Sequence, residues 1–242
     1  MIARVARYVL PLAVLCALAA IASGIGYRLG WWPLGVGFGI LRWAAYAAIV
    51  ATALAIAAIV VARRNGRNQG LAPATIALVV GVATFGFPTT MFIKSKELPK
   101  IHDITTDTSN PPNFVAVLPL RANARNSPEY GGSAIAEQQQ RAYPAIAPLE
   151  SKLSPGDAFT HALDVARTMG WDIVAAVPAE GRIEATDTTL LFGFKDDIVV
   201  RVAPRPQGSR VDVRSESRIG VSDVGTNARR VAQFLQKMSR QA

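Results

Sequence analysis

The chain has 242 residues, half of them apolar and 18% charged, with a formal net charge of +9. That length suits one or two domains, and a single cysteine, Cys16, excludes an internal disulfide framework. A basic balance often marks a nucleic-acid binder. Here, however, the first 93 residues hold seven arginines and no acid, and those arginines flank apolar runs as membrane topology places them, so nucleic acid is set aside as a partner.

Three apolar runs come first, over residues 5–27, 41–62 and 71–93. Each is long enough to cross a hydrocarbon core of about 30 Å as a helix. The first is interrupted only by Arg7 and Ser23. Its Ala20-Ile21-Ala22 would suit a cleaved signal peptide, but two further runs follow and an uncleaved span is the expectation. Cys16 sits inside this run, which continues apolar to Ile25, so it reads as a packing or lipid-facing residue and not as a lipidation site. The second run is rich in alanine, which lets helices approach closely. The third carries Pro73 near its start and Pro88 near its end, where a helix tolerates them. No run holds Asp, Glu, Lys or His at mid-depth, so the three read as an anchor and not as a channel or pump.

Basic residues set the expected orientation. Arg4, Arg7 and the "RRNGRN" loop (Arg63, Arg64, Arg67) stand on one side; Arg28, Arg42, Lys94, Lys96 and Lys100 stand on the other. The short loop between two spans carries most weight, which puts the N-terminus in the cytoplasm and the C-terminal part outside it. Trp31, Trp32 and Trp43 suit an aromatic belt. "GWWPLGVGFG" has no following Lys-Ser/Thr and no strand–helix frame, so it is not a nucleotide loop.

The composition changes after Ile93. Residues 94–153 read as an irregular linking and wrapping segment, rich in turn formers, with a short helix near 134–141. Irregular chain of that length is functional or wraps over a core. Residues 154–242 read as an α+β core. Ser154 is the N-cap, Pro155 the first helical residue and Gly170 the stop of a helix with an apolar stripe at Phe159, Leu163 and Ala166. "WDIVAAV", "GRIEATDT", "DDIVVRVAP" and "RVDVRSES" follow as strands. A last helix is capped by Ser222 or Asp223 and presents Val224, Ala228, Val231, Leu235 and Met238, with Phe234 beside them. Short connections make the sheet of about four strands mainly antiparallel, with both helices on its apolar face. Alternation places Asp212, Arg214 and Glu216 on the opposite, polar face, where Glu184 and Arg201 can join them in cross-strand pairs.

"IHDITTDTSNPPNF", "GWDIVAA…EGRIEATDTTLLFGFKDDIVVRV" and "SRVDVRSESRIGVSDVGTNARR" resemble the bacterial domain of unknown function 1499 family, over about Ile101 to Phe234. The first motif matches at His102, Asp103, Thr106 and Asp107. The later ones match at Glu184, Asp196, Asp197, Arg201, Asp212, Arg214, Ser215, Ser217, Arg218, Gly220 and Asp223. The resemblance implies a small envelope-associated domain, here behind three spans, and supplies no activity.

The candidate ligand-binding residues are therefore His102, Asp103, Asp107, Asp196, Asp197, Arg201, Asp212, Arg214, Ser215, Ser217, Arg218 and Asp223. His102, Asp103 and Asp107 are competent metal ligands, although turn-stabilising hydrogen bonds are the simpler role for Asp and Thr there. Ser215 or Ser217 as a nucleophile needs His102 or His161 within hydrogen-bond reach. The arginines suit a bidentate grip on a carboxylate or phosphate, or else an ion-pair network. Phe192 and Phe194, with Trp171 and Tyr143, suit a pocket or a core.

The sequence points to a multi-pass protein of the bacterial inner membrane with a periplasmic binding or accessory domain. Its expected partners are the lipid bilayer and either an envelope protein or an anionic envelope ligand, without a cofactor. A metal-assisted hydrolase and a structural subunit of a membrane complex are the alternatives.

Overall fold

The computed structural model describes residues 2–66 and 70–240, with side chains from Tyr8 onward. Arg67 and the side chains of Arg4 and Arg7, which enter the orientation argument, lie outside the described residues. The chain divides into two units: residues 1–94 with Leu190–Gly193, and 95–189 with 194–242.

The first unit is built on three helices: α1 (Ile2–Arg28), α2 (Leu34–Arg64) and α3 (Leu71–Glu97). All three are long and apolar enough to cross a membrane. Helix α2 begins before the second apolar run, directly after Pro33, because the Gly-rich "LGVGFG" continues as helix. Glycine is common in helices that meet lipid, where neighbours fix the backbone. Small residues carry the packing. Val9, Ala13, Ala51, Ala55 and Ala77 form one buried cluster. A Cβ on Gly81 of α3 would fall 2.3 Å from Thr52 Oγ1 of α2, so only glycine permits that approach. Thr52 returns its hydroxyl to Ala48 O at 2.8 Å, so its own polar group is satisfied within the interface.

The second unit is α+β. Its sheet contains β1 (Asp103–Thr105), β2 (Leu149–Ser151), β3 (Asp172–Val177), β4 (Arg182–Thr188), β5 (Lys195–Arg205) and β6 (Gly208–Ser217). The order is β1-β6-β5-β4-β3, with β2 also on β6, and all pairings are antiparallel. β3 to β6 are the strands that alternation announces. The short β1 and β2 come from the irregular segment and flank β6 end to end. Between them lie a 3-10 turn (Leu118–Arg121) and helix α4 (Gly132–Ala142).

Helices α5 (Pro155–Thr168) and α6 (Thr226–Met238) cover one face. Ser154 caps α5 by accepting Asp157 N–H at 3.2 Å, and Gly170 stops it at φ 77°. The core joins Phe159, Ala162 and Ala166 of α5 and Val231 and Phe234 of α6 to inward residues such as Ile198 and Val213. Trp171 stacks on Phe234 with ring centroids 5.3 Å apart. Each large side chain closed off this way contributes about 1.5–3 kcal/mol. Helix α6 begins two residues later than Val224 suggests. Asp223 accepts the N–H of Gly225 at 3.0 Å and that of Asn227, and Val224 takes a positive φ of 53°.

The other sheet face is polar, as expected, yet it is not solvated. Residues 106–131 run across it as a strap. Phe114 and Val117 of the strap close on Val199 of β5, with Val174 of β3 beside them. Beneath the strap Glu184, Asp197, Asp212, Arg214 and Glu216 are all buried.

Candidate functional site

The first motif and the "RSESR" strand do meet, because β1 pairs with β6: Asp103 stands opposite Glu216, and Thr105 opposite Arg214. A strand alternates its side chains, so the sheet then separates the candidates into two groups on opposite faces.

Under the strap, Arg214 holds Asp103 through two hydrogen bonds, Nε to Oδ1 at 3.0 Å and Nη2 to Oδ2 at 2.8 Å. It also donates to Pro112 O at 3.3 Å and Pro128 O at 2.8 Å, both on the strap. Its guanidinium lies 4.8 Å from the Phe114 ring centroid and 5.7 Å from that of Tyr130. Planar arginine fits such a double stacking and lysine does not. Arg121 descends from the 3-10 turn to Asp197 (2.6 Å) and Glu216 (2.9 Å). Arg218 holds Asp197 through two bonds of 2.9 and 2.8 Å and donates to Leu120 O at 2.7 Å. Thr186 adds a 2.8 Å bond to Asp197.

The start and the middle of the strap are fixed by different means. Asp107 accepts the N–H of Ser109 at 3.1 Å and of Asn110 at 2.9 Å, closing a turn. Its second oxygen pairs with Arg201 (3.1 Å) and Arg210 (2.8 Å), which also hold Asp212 at 2.9 and 3.0 Å. At mid-strap, Glu184 accepts three successive backbone N–H groups, those of Val115 (2.9 Å), Ala116 (2.9 Å) and Val117 (3.0 Å). Arg182 pairs with the same carboxylate.

On the helix-covered face the other candidates gather around α6. Arg230 bridges Asp187 and Asp196, each at 2.7 Å. Ser215 donates to Asn227 Oδ1 at 2.7 Å and accepts from Arg230 at 3.0 Å. Asn227 Nδ2 donates to Ser217 Oγ and to His102 O, both at 2.9 Å. Neither Ser222 nor Asp223 is the N-cap of α6, which is Gly225; Asp223 stands two residues before it and accepts the N–H groups of Gly225 and Asn227. His161 lies against Met238 O at 3.3 Å. The bonds of Ser215 and Ser217 thus go to Asn227 and Arg230, not to an imidazole. Among the described residues no three His, Cys, Asp or Glu converge as a metal site.

Burial sets the electrostatics. It pushes the Glu216 carboxyl up to about 8, with Asp103 adding to the rise and Arg121 and Arg214 opposing it. Glu216 Oε1 takes the Arg121 bond, while the buried Oε2 has no hydrogen-bond partner and lies 3.8 Å from Arg214 Nη2. Burial also raises Asp103, outweighing Arg214, and raises Asp223 against the N–H groups it accepts. The Tyr130 hydroxyl is pushed up to about 12 by burial and by Asp103. In each case the low-dielectric interior penalises the charged form.

An open concavity lies elsewhere, a groove of about 620 Å³ between α5 and the Pro178–Gly181 turn. Phe159, Leu163 and Val202 line it, with Asp164, Arg167 and Glu180 as its charged members.

The residues missed by sequence reasoning are Arg121, Asn227, Arg230 and the strap-holding role of Glu184. Asn227 and Arg230 did leave a signal: they fall on the buried stripe of α6 with Val231, Phe234 and Met238, where a polar residue needs a partner. Arg121 left none, since its partners arrive from strands far along the chain.

The class of protein is now defined: an α+β domain, strapped over a buried charge network, in a chain with three candidate membrane spans. The chain belongs to the family described as Protein of unknown function (DUF1499), whose model matches residues 103–238, more than half of its length. No curated protein matches it.

Proposed function

We propose that the protein is a membrane-anchored binding or accessory module of the bacterial cell envelope. It crosses the inner membrane three times, with its N-terminus in the cytoplasm and its C-terminal domain in the periplasm. The observation that carries this reading is the pairing of the motif charges with one another. Arg214, Arg218 and Arg121 each meet a carboxylate inside the domain, and Asp197 and Glu216 are fully buried. Charges so occupied support a fixed scaffold and not a reaction centre. They also remove the arginine grip on an anionic ligand, which favours a protein partner over an anionic envelope ligand. The groove beside α5, with its apolar lining and mixed charges, is the concave surface that suits such a partner.

The test is a photo-crosslinking amino acid placed in the intact chain at Thr160, which lines the groove, and at Glu137 on α4. A discrete adduct from 160 and none from 137 is the expected result. Adducts from neither, together with a ligand-dependent rise in melting temperature that vanishes in Arg201→Ala, would favour the anion site instead. For orientation, a Thr160→Cys chain in a Cys16→Ser background is expected to react with an impermeant maleimide in cells whose inner membrane is intact. Reaction only after that membrane is broken would overturn the periplasmic placement.

A further inference from the structure

Turns between antiparallel strands are usually made of Gly, Asn, Asp and Pro. The β4–β5 turn instead reads Thr189-Leu190-Leu191-Phe192-Gly193-Phe194. Gly193 supplies the positive φ, 65°, that the reversal requires. Nothing in the turn geometry calls for two leucines and a phenylalanine beside it.

Leu190–Gly193 group with the helices of the first unit. Phe192 is buried there, its ring centroid 5.2 Å from Phe38 and 6.2 Å from Tyr27. A Cβ on Gly24 would fall 2.5 Å from the Leu191 side chain, so Leu191 lies on α1 where only glycine leaves room. The Arg28 guanidinium donates to Leu190 O at 3.0 Å. The Leu190 side chain itself is 89% exposed. A single exposed leucine on a water-facing surface means little. Leu190 differs in what surrounds it: this end of α1 and α2 also exposes Ile25, Leu29, Trp31 and Phe38. On a helix that crosses a membrane, exposed apolar surface is lipid-facing, and tryptophans mark the interfacial level.

We propose that the Leu190–Phe192 tip is a lipid-contacting element, with the Leu190 side chain in the interfacial zone of the bilayer and Phe192 holding the tip on α1 and α2. The partner is a phospholipid leaflet. Arg28, exposed at the end of α1, stands where its stem can lie along the apolar surface and its charge can reach the phosphates. The inference rests on the membrane-spanning reading of the three helices.

The experiment uses the full chain in phospholipid nanodiscs, Cys16→Ser, with one environment-sensitive fluorophore at Leu190→Cys, Val79→Cys or Thr160→Cys. Val79 of α3 is 63% exposed and reports on the spans; Thr160 reports on the water-facing domain. The expected result at 190 is a blue-shifted emission, quenched by doxyl-labelled lipid and insensitive to iodide, with 79 behaving alike and 160 the reverse. Lipid quenching at 79 with iodide quenching at 190 overturns the tip proposal alone. Iodide quenching at both 79 and 190 overturns the membrane reading with it. Trypsin resistance compared with the unlabelled chain confirms that the 190 variant is folded before its emission is read.

Discussion

Glu184 on β4 accepts the backbone N–H of Val117 at 3.0 Å, from a residue 67 positions earlier in the chain. With the N–H groups of Val115 and Ala116 on the same carboxylate, this one side chain replaces a strand ladder for the middle of the strap. The hydrogen-bonding demand of this irregular backbone is met by a charge on the sheet beneath it.

Glu184→Ala is therefore expected to loosen the strap before the sheet. Three amides lose their acceptor, and that of the buried Val117 is left unsatisfied at a cost of about 1–3 kcal/mol. Hydrogen exchange at residues 115–117 should accelerate strongly in the variant, while exchange in β5 and β6 changes less. Uniform acceleration across the sheet would mean that strap and sheet form one cooperative unit.

Stability should fall as pH rises from the ordinary glutamate range through about 8, the position of the Glu216 carboxyl in the folded protein. The folded state holds this proton more tightly than the unfolded chain. The contribution is then fully present below the unfolded pKa and is lost as pH passes the folded one. Asp103 and Asp223 are raised as well and act with the same sign. Urea titrations of the intact chain in detergent at pH 5 and pH 9 measure this slope, and Glu216→Gln should flatten it. An unchanged slope in that variant would assign the pH dependence to other groups.

Gly181 closes the turn between the Pro178–Glu180 3-10 turn and β4 at φ 61°, and a Cβ there would lie 2.1 Å from Val202 O. Backbone cannot yield as a flexible side chain can. Gly181→Ala should destabilise the domain by more than about 1 kcal/mol, the opposite of the usual gain on replacing glycine by alanine at a compatible site. The midpoint of urea unfolding reads it directly.

How far the sequence leads depends on the range of the interaction. The three apolar helices, the Ser154 cap of α5 and the alternation of β4, β5 and β6 are written in neighbouring residues, and the structure has them all. The start of α2 was less legible because "GVGFG" carries loop composition but sits in an apolar context. Alternation placed Asp212, Arg214 and Glu216 on the face away from the helices. It could not show that a strap covers them, since that depends on Phe114, Val117 and Arg121 about a hundred residues earlier. A polar strand face looks the same in sequence whether water or a buried counter-charge satisfies it. For the same reason the division of the candidate residues between two faces was beyond reach until β1 was seen to pair with β6.

If Arg214 and Asp103 are a scaffold pair, a double-mutant cycle on Arg214→Met and Asp103→Leu in the intact chain will show it. Breaking a buried pair from one side leaves an uncompensated charge and costs about 3–5 kcal/mol, whereas replacing both partners by apolar residues can be nearly neutral. Two strongly destabilised single variants are the expectation, with a double variant that regains much of the loss and crosslinking from Thr160 that follows the folded fraction. Single variants as stable as the parent chain that have lost the Thr160 adduct would contradict it, and would make the buried pair part of a binding site.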